Sequence, residues 1–88
     1  MLVYPVSLKR NLYRGKDAKK SAKAQLENRR ITKIEAYINE RLREKSEPTK
    51  IYIYSQIADA TDQPIALVRR LFSEMGGGYN GVTFTKPA

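Results

Sequence analysis

The stretch "SQIADATDQPIALVRRLF", Ser55–Phe72, decides how the rest of this chain is interpreted. Its first half predicts a short helix over residues 56–60, with the Ser55 hydroxyl as N-terminal cap. "TDQP" interrupts the helical pattern, and a second helix begins near Pro64, because a proline in a first helical turn gives up an N–H that has no partner there anyway. The stretch therefore predicts two short helices joined by a tight turn.

A longer amphipathic helix precedes this pair. Apolar residues recur at spacings of three and four, with charged residues on the other face; they are Ile31, Ile34, Ile38 and Leu42. This spacing predicts a helix over Ile31–Lys45, which Glu47-Pro48 ends. The alternating "KIYIYS" at residues 50–55 then predicts a short strand.

Glycines follow the second short helix, in "MGGGYNGVTF", Met75–Phe84. The first glycine predicts the helix end, and Asn80-Gly81 predicts the type I′ turn of a hairpin. A phosphate-binding loop is excluded, because it needs a strand before its glycines and a lysine at the start of a helix after them. At the other end, the apolar "MLVYPVSL" contains Pro5, which predicts an edge strand or an extended arm.

Composition restricts the class of protein. The 88 residues suffice for one small domain with a modest core, and they include neither cysteine nor histidine. Disulfides and thiolate chemistry are thereby excluded, and the commonest metal ligand and general base are absent. We expect no enzyme, no catalytic residue, no cofactor, no metal and no small-molecule substrate. No stretch reaches the ~18 apolar residues of a membrane span, and we expect a cytoplasmic protein without a membrane partner.

The charge is concentrated at one end of the chain. The formal net charge is +8, and residues 1–33 hold ten Lys or Arg against only two acidic residues. Residues 1–30 are therefore predicted to be a basic N-terminal arm, partly helical or flexible, in which Asp17 caps a helix. Such an arm attracts polyanions, nucleic acid first and anionic membrane second, or else only solubilises the protein.

The order helix, strand, helix, turn, helix, hairpin over residues 31–88 resembles the winged helix-turn-helix family. Ala58 matches the small residue that lets the two helices cross, and Val68 matches the aliphatic residue ten positions later; Ile57 and Leu71 fit beside them. Asp62 departs from the glycine usual in the turn, although aspartate tolerates the left-handed conformation better than most residues. The resemblance implies an α+β fold with a three-helix core and a small antiparallel sheet.

The resemblance also implies a DNA site. The second helix, residues 64–75, would enter the major groove and present Gln63, Pro64, Ile65, Ala66, Arg69, Arg70 and Ser73. The wing would touch the DNA backbone through Tyr79, Asn80 and Lys86. The basic arm would add phosphate contacts from Lys9, Arg10, Arg14, Lys16, Lys19, Lys20, Lys23, Arg29 and Arg30.

Two functions follow from this reading. The first is a sequence-specific transcriptional regulator on double-stranded DNA in the nucleoid. The second is an adaptor that binds a protein partner and docks on nucleic acid without sequence preference, in replication or RNA processing. Arg69 and Arg70 favour contact with an anion, unless they are only solvated or paired with nearby acids such as Asp59, Asp62 or Glu74. Ile65 is either a base contact or a core residue. Formation of a homodimer stays open.

Overall fold

The computed structural model describes residues 2–44 and 49–85. These residues form a small α+β domain with three helices and a small sheet, an arrangement compatible with a winged helix. The elements are β1 Leu2–Val3, α1 Ala18–Glu44, β2 Thr49–Ile53, α2 Tyr54–Thr61, α3 Ile65–Ser73 and β3 Gly81–Thr85. The predicted helix end at Glu47-Pro48 and the wing residue Lys86 lie outside the described residues.

Helix α1 is one continuous helix of 27 residues. Its start confirms the predicted cap, because Oδ1 of Asp17 accepts the N–H groups of Lys19 (2.9 Å) and Lys20 (3.1 Å). These bonds satisfy donors that have no partner within the helix. The helix then passes through the boundary predicted between residues 30 and 31 without a break.

The apolar stripe of α1 forms one wall of the core. The predicted residues Ile31, Ile34, Ile38 and Leu42 are all buried, which confirms the amphipathic pattern. Phe72 of α3 is fully buried as well, and its ring lies 5.7 Å from that of Phe84 in an edge-to-face contact. The core therefore lies between α1, the two short helices and the inner face of the sheet.

Helices α2 and α3 pack as the sequence predicts, with Ala58 and Val68 both buried. Asp62 adopts the left-handed conformation, with φ of 54° and ψ of 44°, so the expectation for the turn is confirmed. The cap at Ser55 is wrong, because α2 begins one residue earlier, at Tyr54. The Tyr54 N–H donates to the Asn80 carbonyl (2.9 Å), so this connecting loop satisfies a donor at the helix start.

The glycines after α3 end the helix. Gly76 has a φ of 94°, and the Gly77 N–H donates to the Phe72 carbonyl (2.8 Å), which is the bond pattern of a glycine C-cap. Gly77 also allows a close approach, since a Cβ at this position would lie 2.7 Å from the Phe72 carbonyl oxygen. The predicted role of these glycines as a helix stop is confirmed.

The predicted hairpin around Asn80-Gly81 is wrong. Gly81 is the first residue of β3 and pairs with Ile53 of β2, in an antiparallel ladder that runs to Thr49 and Thr85. The other side of β3 is taken by β1, which runs parallel to it and gives the strand order β1-β3-β2. Both sides of β3 are thus occupied without a second wing strand. The edge position predicted for the N-terminal apolar residues is confirmed for β1.

Residues 6–11 are attached to α1 by polar side chains of that helix. The Val6 N–H donates to Oδ1 of Asn39 (2.7 Å), and Nδ2 of Asn39 donates to the Val6 carbonyl (2.8 Å). Asn28 makes the same pair of bonds with the backbone of Asn11, at 2.9 and 2.7 Å. Glu35 lies between them on the same face of the helix. We refer to Asn28, Glu35 and Asn39 as the polar row.

This attachment makes the start of the predicted arm part of the folded body. Val6 and Leu8 are both 4% exposed and belong to the main core. The Leu8 N–H donates to Oε2 of Glu35 (2.7 Å), which holds the segment between the two asparagines of the polar row. The sequence prediction had assigned these residues to an arm outside the domain.

Candidate nucleic-acid interface

One flank of α1 carries a line of cations. Lys19, Lys23, Arg30 and Lys33 follow one another at spacings of four, seven and three, which places them on the same side of the helix. Lys19, Lys23 and Lys33 are exposed and Arg30 is half-buried. We refer to these four residues as the basic flank. Lys33 was missed as a site residue, although the same helical spacing from Arg30 indicates it.

The basic flank borders a groove between α1 and the start of α3. The groove has a volume of about 460 Å³ and is lined by Lys23, Leu26, Glu27, Arg30, Pro64, Ala66, Leu67 and Arg70. A second depression of about 300 Å³ lies beside it at the turn between α2 and α3, where Arg29, Arg30 and Lys33 face Asp62 and Gln63. We call the first of these the α1/α3 groove. It brings predicted arm residues and predicted recognition-helix residues onto one surface.

Arg70 is the α3 cation in this groove. Its guanidinium donates a hydrogen bond to Oε1 of Glu27 on α1 and forms an ion pair with it. The Arg70 side chain is 50% exposed and that of Glu27 is 20% exposed, so water screens the pair. The sequence offers Asp59, Asp62 or Glu74 as alternative partners for this arginine, whereas in the structure its partner is Glu27, 43 positions away.

Arg69 lies on a different side of α3 and contacts the connecting loop. Its Nε–H donates to the Tyr79 carbonyl (3.3 Å), and its guanidinium carbon lies 5.1 Å from the centre of the Tyr79 ring. The two predicted arginines therefore point to two different surfaces. Tyr79 itself is 78% exposed.

The remaining predicted α3 residues lie between these surfaces. Ile65 is 39% exposed, so it is not a core residue, and Ala66 and Ser73 are exposed. Gln63 is half-buried, and its Nε2 donates to the Thr61 carbonyl (3.2 Å). Asn80 is exposed, while its carbonyl oxygen bonds to α2.

Arg10 does not point freely into solvent as the arm prediction requires. Its two terminal nitrogens each lie 3.1 Å from an oxygen of Glu35, and one also donates to the Leu8 carbonyl (3.0 Å). Burial raises the pKa of Glu35, but the hydrogen bonds from Arg10 and Leu8 and the charge of Arg10 outweigh burial and lower that pKa below its ordinary value. Arg10 therefore stabilises the fold.

The other predicted arm cations are accessible. They are Lys9, Arg14, Lys16, Lys19, Lys20, Lys23 and Arg29, all exposed, and the half-buried Arg30. Lys20 and Lys23 line a depression of about 320 Å³ together with Arg70 and Tyr13. This depression continues the cationic surface from the α1/α3 groove toward the start of α1.

Neither a metal site nor a membrane-spanning helix is found within residues 2–44 and 49–85. No group of three or more acidic side chains there is arranged to hold a metal ion. Among the helices that the structure describes, none is both long and apolar enough to cross a membrane. Comparison with protein-family models, with curated proteins and with solved structures finds no significant match.

Proposed function

We propose that this chain binds double-stranded DNA with the α1/α3 groove and the basic flank. The observation that carries the proposal is the convergence of Lys23, Arg30 and Arg70 on one groove, where Glu27 is the only acidic residue among the described residues that line it. Arg29 and Lys33 extend the same surface past the turn between α2 and α3. A surface of this kind attracts phosphates and releases their counterions on binding.

The dimensions of the surface suit a duplex. At 1.5 Å per residue, the basic flank extends about 20 Å from Lys19 to Lys33 along α1. A major groove is about 12 Å wide, so cations at the two ends of the flank reach phosphates on both of its sides. The Arg70–Glu27 pair is no obstacle, because an exposed ion pair contributes only about 0–1 kcal/mol and Arg70 can exchange the carboxylate for a phosphate.

The helices favour a helix-turn-helix of the winged kind as the form of this DNA-binding protein. The buried Ala58 and Val68 and the left-handed Asp62 are the features that the resemblance requires. We propose that α3 reads bases with the exposed Ala66, Ile65 and Ser73, and that β1 replaces one strand of the wing. In its most specific form, the proposal is a sequence-specific transcriptional regulator.

Salt-dependent DNA binding tests the proposal. Fluorescence anisotropy with a random-sequence duplex between 50 and 200 mM salt gives the affinity and its salt slope. Lys23→Ala with Arg30→Ala removes two cations of the basic flank, and each lost phosphate contact lowers the slope by about 0.9. Arg41→Ala with Arg43→Ala removes two exposed cations from the other end of α1 as the matched control.

We expect the first pair of substitutions to reduce the magnitude of the salt slope by about 2 and the control pair to leave the slope unchanged. Equal effects from the two pairs would reject the groove as the DNA site. Selection from a random-site library then separates the two forms of the proposal. Enrichment of a defined motif supports the regulator, and its absence leaves binding without sequence preference.

A protein partner is the second candidate, and one observation favours it. The floor of the α1/α3 groove is apolar, with Leu26 46% exposed and Pro64, Ala66 and Leu67 beside it. Phosphates gain nothing from such a floor, whereas an acidic amphipathic helix of a partner fits both the floor and the surrounding cations. If neither duplex nor single-stranded DNA binds at 50 mM salt, binding of a partner protein in this groove replaces the first proposal, without the nucleic-acid docking of the adaptor.

A further inference from the structure

Tyr79 is the most exposed of the large apolar side chains with described surroundings, at 78%. It lies in the loop between α3 and β3, for which the resemblance to winged helices implies only a contact with the DNA backbone. Covering a solvent-exposed aromatic ring with a flat apolar partner is energetically favourable.

Hydrogen bonds fix the backbone of the loop on either side of Tyr79 in the sequence. The Tyr54 hydroxyl donates to the Gly78 carbonyl (2.8 Å), and the Tyr54 N–H donates to the Asn80 carbonyl (2.9 Å). The Gly78 N–H donates to the Gly81 carbonyl (2.8 Å) and tightens the loop. Tyr79 is therefore presented from a preorganised backbone, and little further ordering is needed when a partner binds.

Arg69 holds the ring from one side. Its guanidinium lies 5.1 Å from the ring centre, and its Nε–H bonds to the Tyr79 carbonyl (3.3 Å). This contact covers only part of the ring, since most of the side chain is still exposed. The arrangement combines a flat aromatic surface with an adjacent positive charge, as stacking sites for nucleobases do.

We propose that Tyr79 stacks on an unpaired base of DNA whose duplex part lies against the α1/α3 groove and the basic flank. The inference rests on the proposed function and adds a substrate class, duplex DNA with a single-stranded end. Arg69 and Arg70 are neighbours on α3, one directed to Tyr79 and the other to the groove. A strand that leaves the duplex across α3 meets Tyr79 next. Within a duplex, the bases are covered by their neighbours, so only an unpaired base offers its face.

Two duplexes that differ only in their overhang test this inference. Both carry a three-nucleotide single-stranded end, with bases on one and abasic sites on the other, so that the number of phosphates is equal. Binding of each to the full chain is measured by anisotropy. We expect the overhang with bases to bind roughly tenfold more tightly, which corresponds to one base stacked on an aromatic side chain. A 2-aminopurine in that overhang then reports the stacking by fluorescence quenching.

Three variants assign the effect to the ring. Tyr79→Leu abolishes the tenfold preference and the quenching, whereas Tyr79→Phe keeps both because its ring is retained. Tyr13→Leu removes the second exposed tyrosine, which lies beside Lys20 and Lys23 on the cationic surface, and so tests whether the preference belongs to that ring instead. Circular dichroism confirms that each variant is folded.

Each remaining outcome overturns something different. Equal binding of the two duplexes by the wild type rejects stacking but leaves duplex binding intact. A preference that survives Tyr79→Leu rejects Tyr79 as the stacking residue, and its loss in Tyr13→Leu would assign the stacking to Tyr13. Failure of both duplexes to bind at 50 mM salt rejects the proposed function, and the stacking inference with it.

Discussion

Replacement of Asn39 by alanine tests how the N-terminal segment is held. The Asn39 side chain makes two hydrogen bonds with the backbone of Val6, at 2.7 and 2.8 Å, in a partly buried setting. Alanine removes both bonds and leaves the Val6 N–H and carbonyl without these partners. The segment they hold includes Val6 and Leu8, which are core residues.

The size of the effect follows from two terms. Two hydrogen bonds at about 1 kcal/mol each contribute about 2 kcal/mol to the free energy of unfolding. Alanine in a helix interior is better than asparagine by about 0.6 kcal/mol, which offsets part of the loss. The net destabilisation is therefore about 1.5 kcal/mol. With an m-value of about 1 kcal/mol/M for a domain of this size, the urea midpoint falls by about 1.5 M.

Urea unfolding followed by circular dichroism measures this midpoint. Asn80→Ala is the matched control, because the Asn80 side chain is exposed and only its backbone carbonyl bonds to the helix. We expect the control to change stability by less than about 0.5 kcal/mol. If Asn39→Ala stays within that range too, residues 6–11 do not depend on the polar row, and the reasoning about their attachment is refuted.

Three further predictions concern stability. Gly77→Ala places a Cβ 2.7 Å from the Phe72 carbonyl oxygen and costs about 1–3 kcal/mol, measured by thermal unfolding. Asp62→Val destabilises by about 1–2 kcal/mol because a β-branched residue resists a φ of 54°, whereas Asp62→Gly is neutral or stabilising; a reversed order would contradict the turn geometry. The lowered pKa of Glu35 contributes stability above its ordinary value of 4.5, and this stability is lost as the pH falls through the folded-state pKa. The stability difference between wild type and Glu35→Gln therefore shrinks below pH 4.5 in urea titrations at several pH values, and a constant difference would show that the Arg10 pairing has no effect.

The sequence predicted the elements whose signals are local. The spacing of Ile31, Ile34 and Ile38 fixed the core face of α1, because a helix repeats every 3.6 residues whatever it packs against. Asp17 and Asp62 were assigned correctly for the same reason, since a helix cap and a turn involve only neighbouring residues.

The sheet was predicted less well because strand pairing is not local. Asn80-Gly81 carries a strong hairpin signal, but Tyr54 binds the backbone at Asn80, and β1 occupies the side of β3 that a hairpin partner needs. Nothing near residues 2–3 indicates that they pair with residues 84–85. The tertiary contacts outweighed the local turn preference.

The candidate site was also predicted in part. Lys23, Arg30 and Arg70 were named from their charge and position, and the structure brings them to one groove. The groove itself was missed, since it depends on how α1 lies beside α3. Arg10 was wrongly assigned to the arm. Its partner Glu35 is 25 positions away in the sequence, and the local sequence around Arg10 does not indicate this pairing.

The parallel pairing of β1 with β3 has a consequence for the order of folding. Leu2 pairs with Phe84, so closing this contact joins residues about 80 positions apart, at a large cost in chain entropy. During synthesis β1 leaves the ribosome before its partner β3, which emerges only after α1, α2 and α3. We expect α1, α2 and α3 to associate early through their short-range contacts and the sheet to close as the slow step. Until the sheet closes, only the polar row of α1 holds the segment that contains Val6 and Leu8, and β1 stays exposed on the nascent chain without its partner strand.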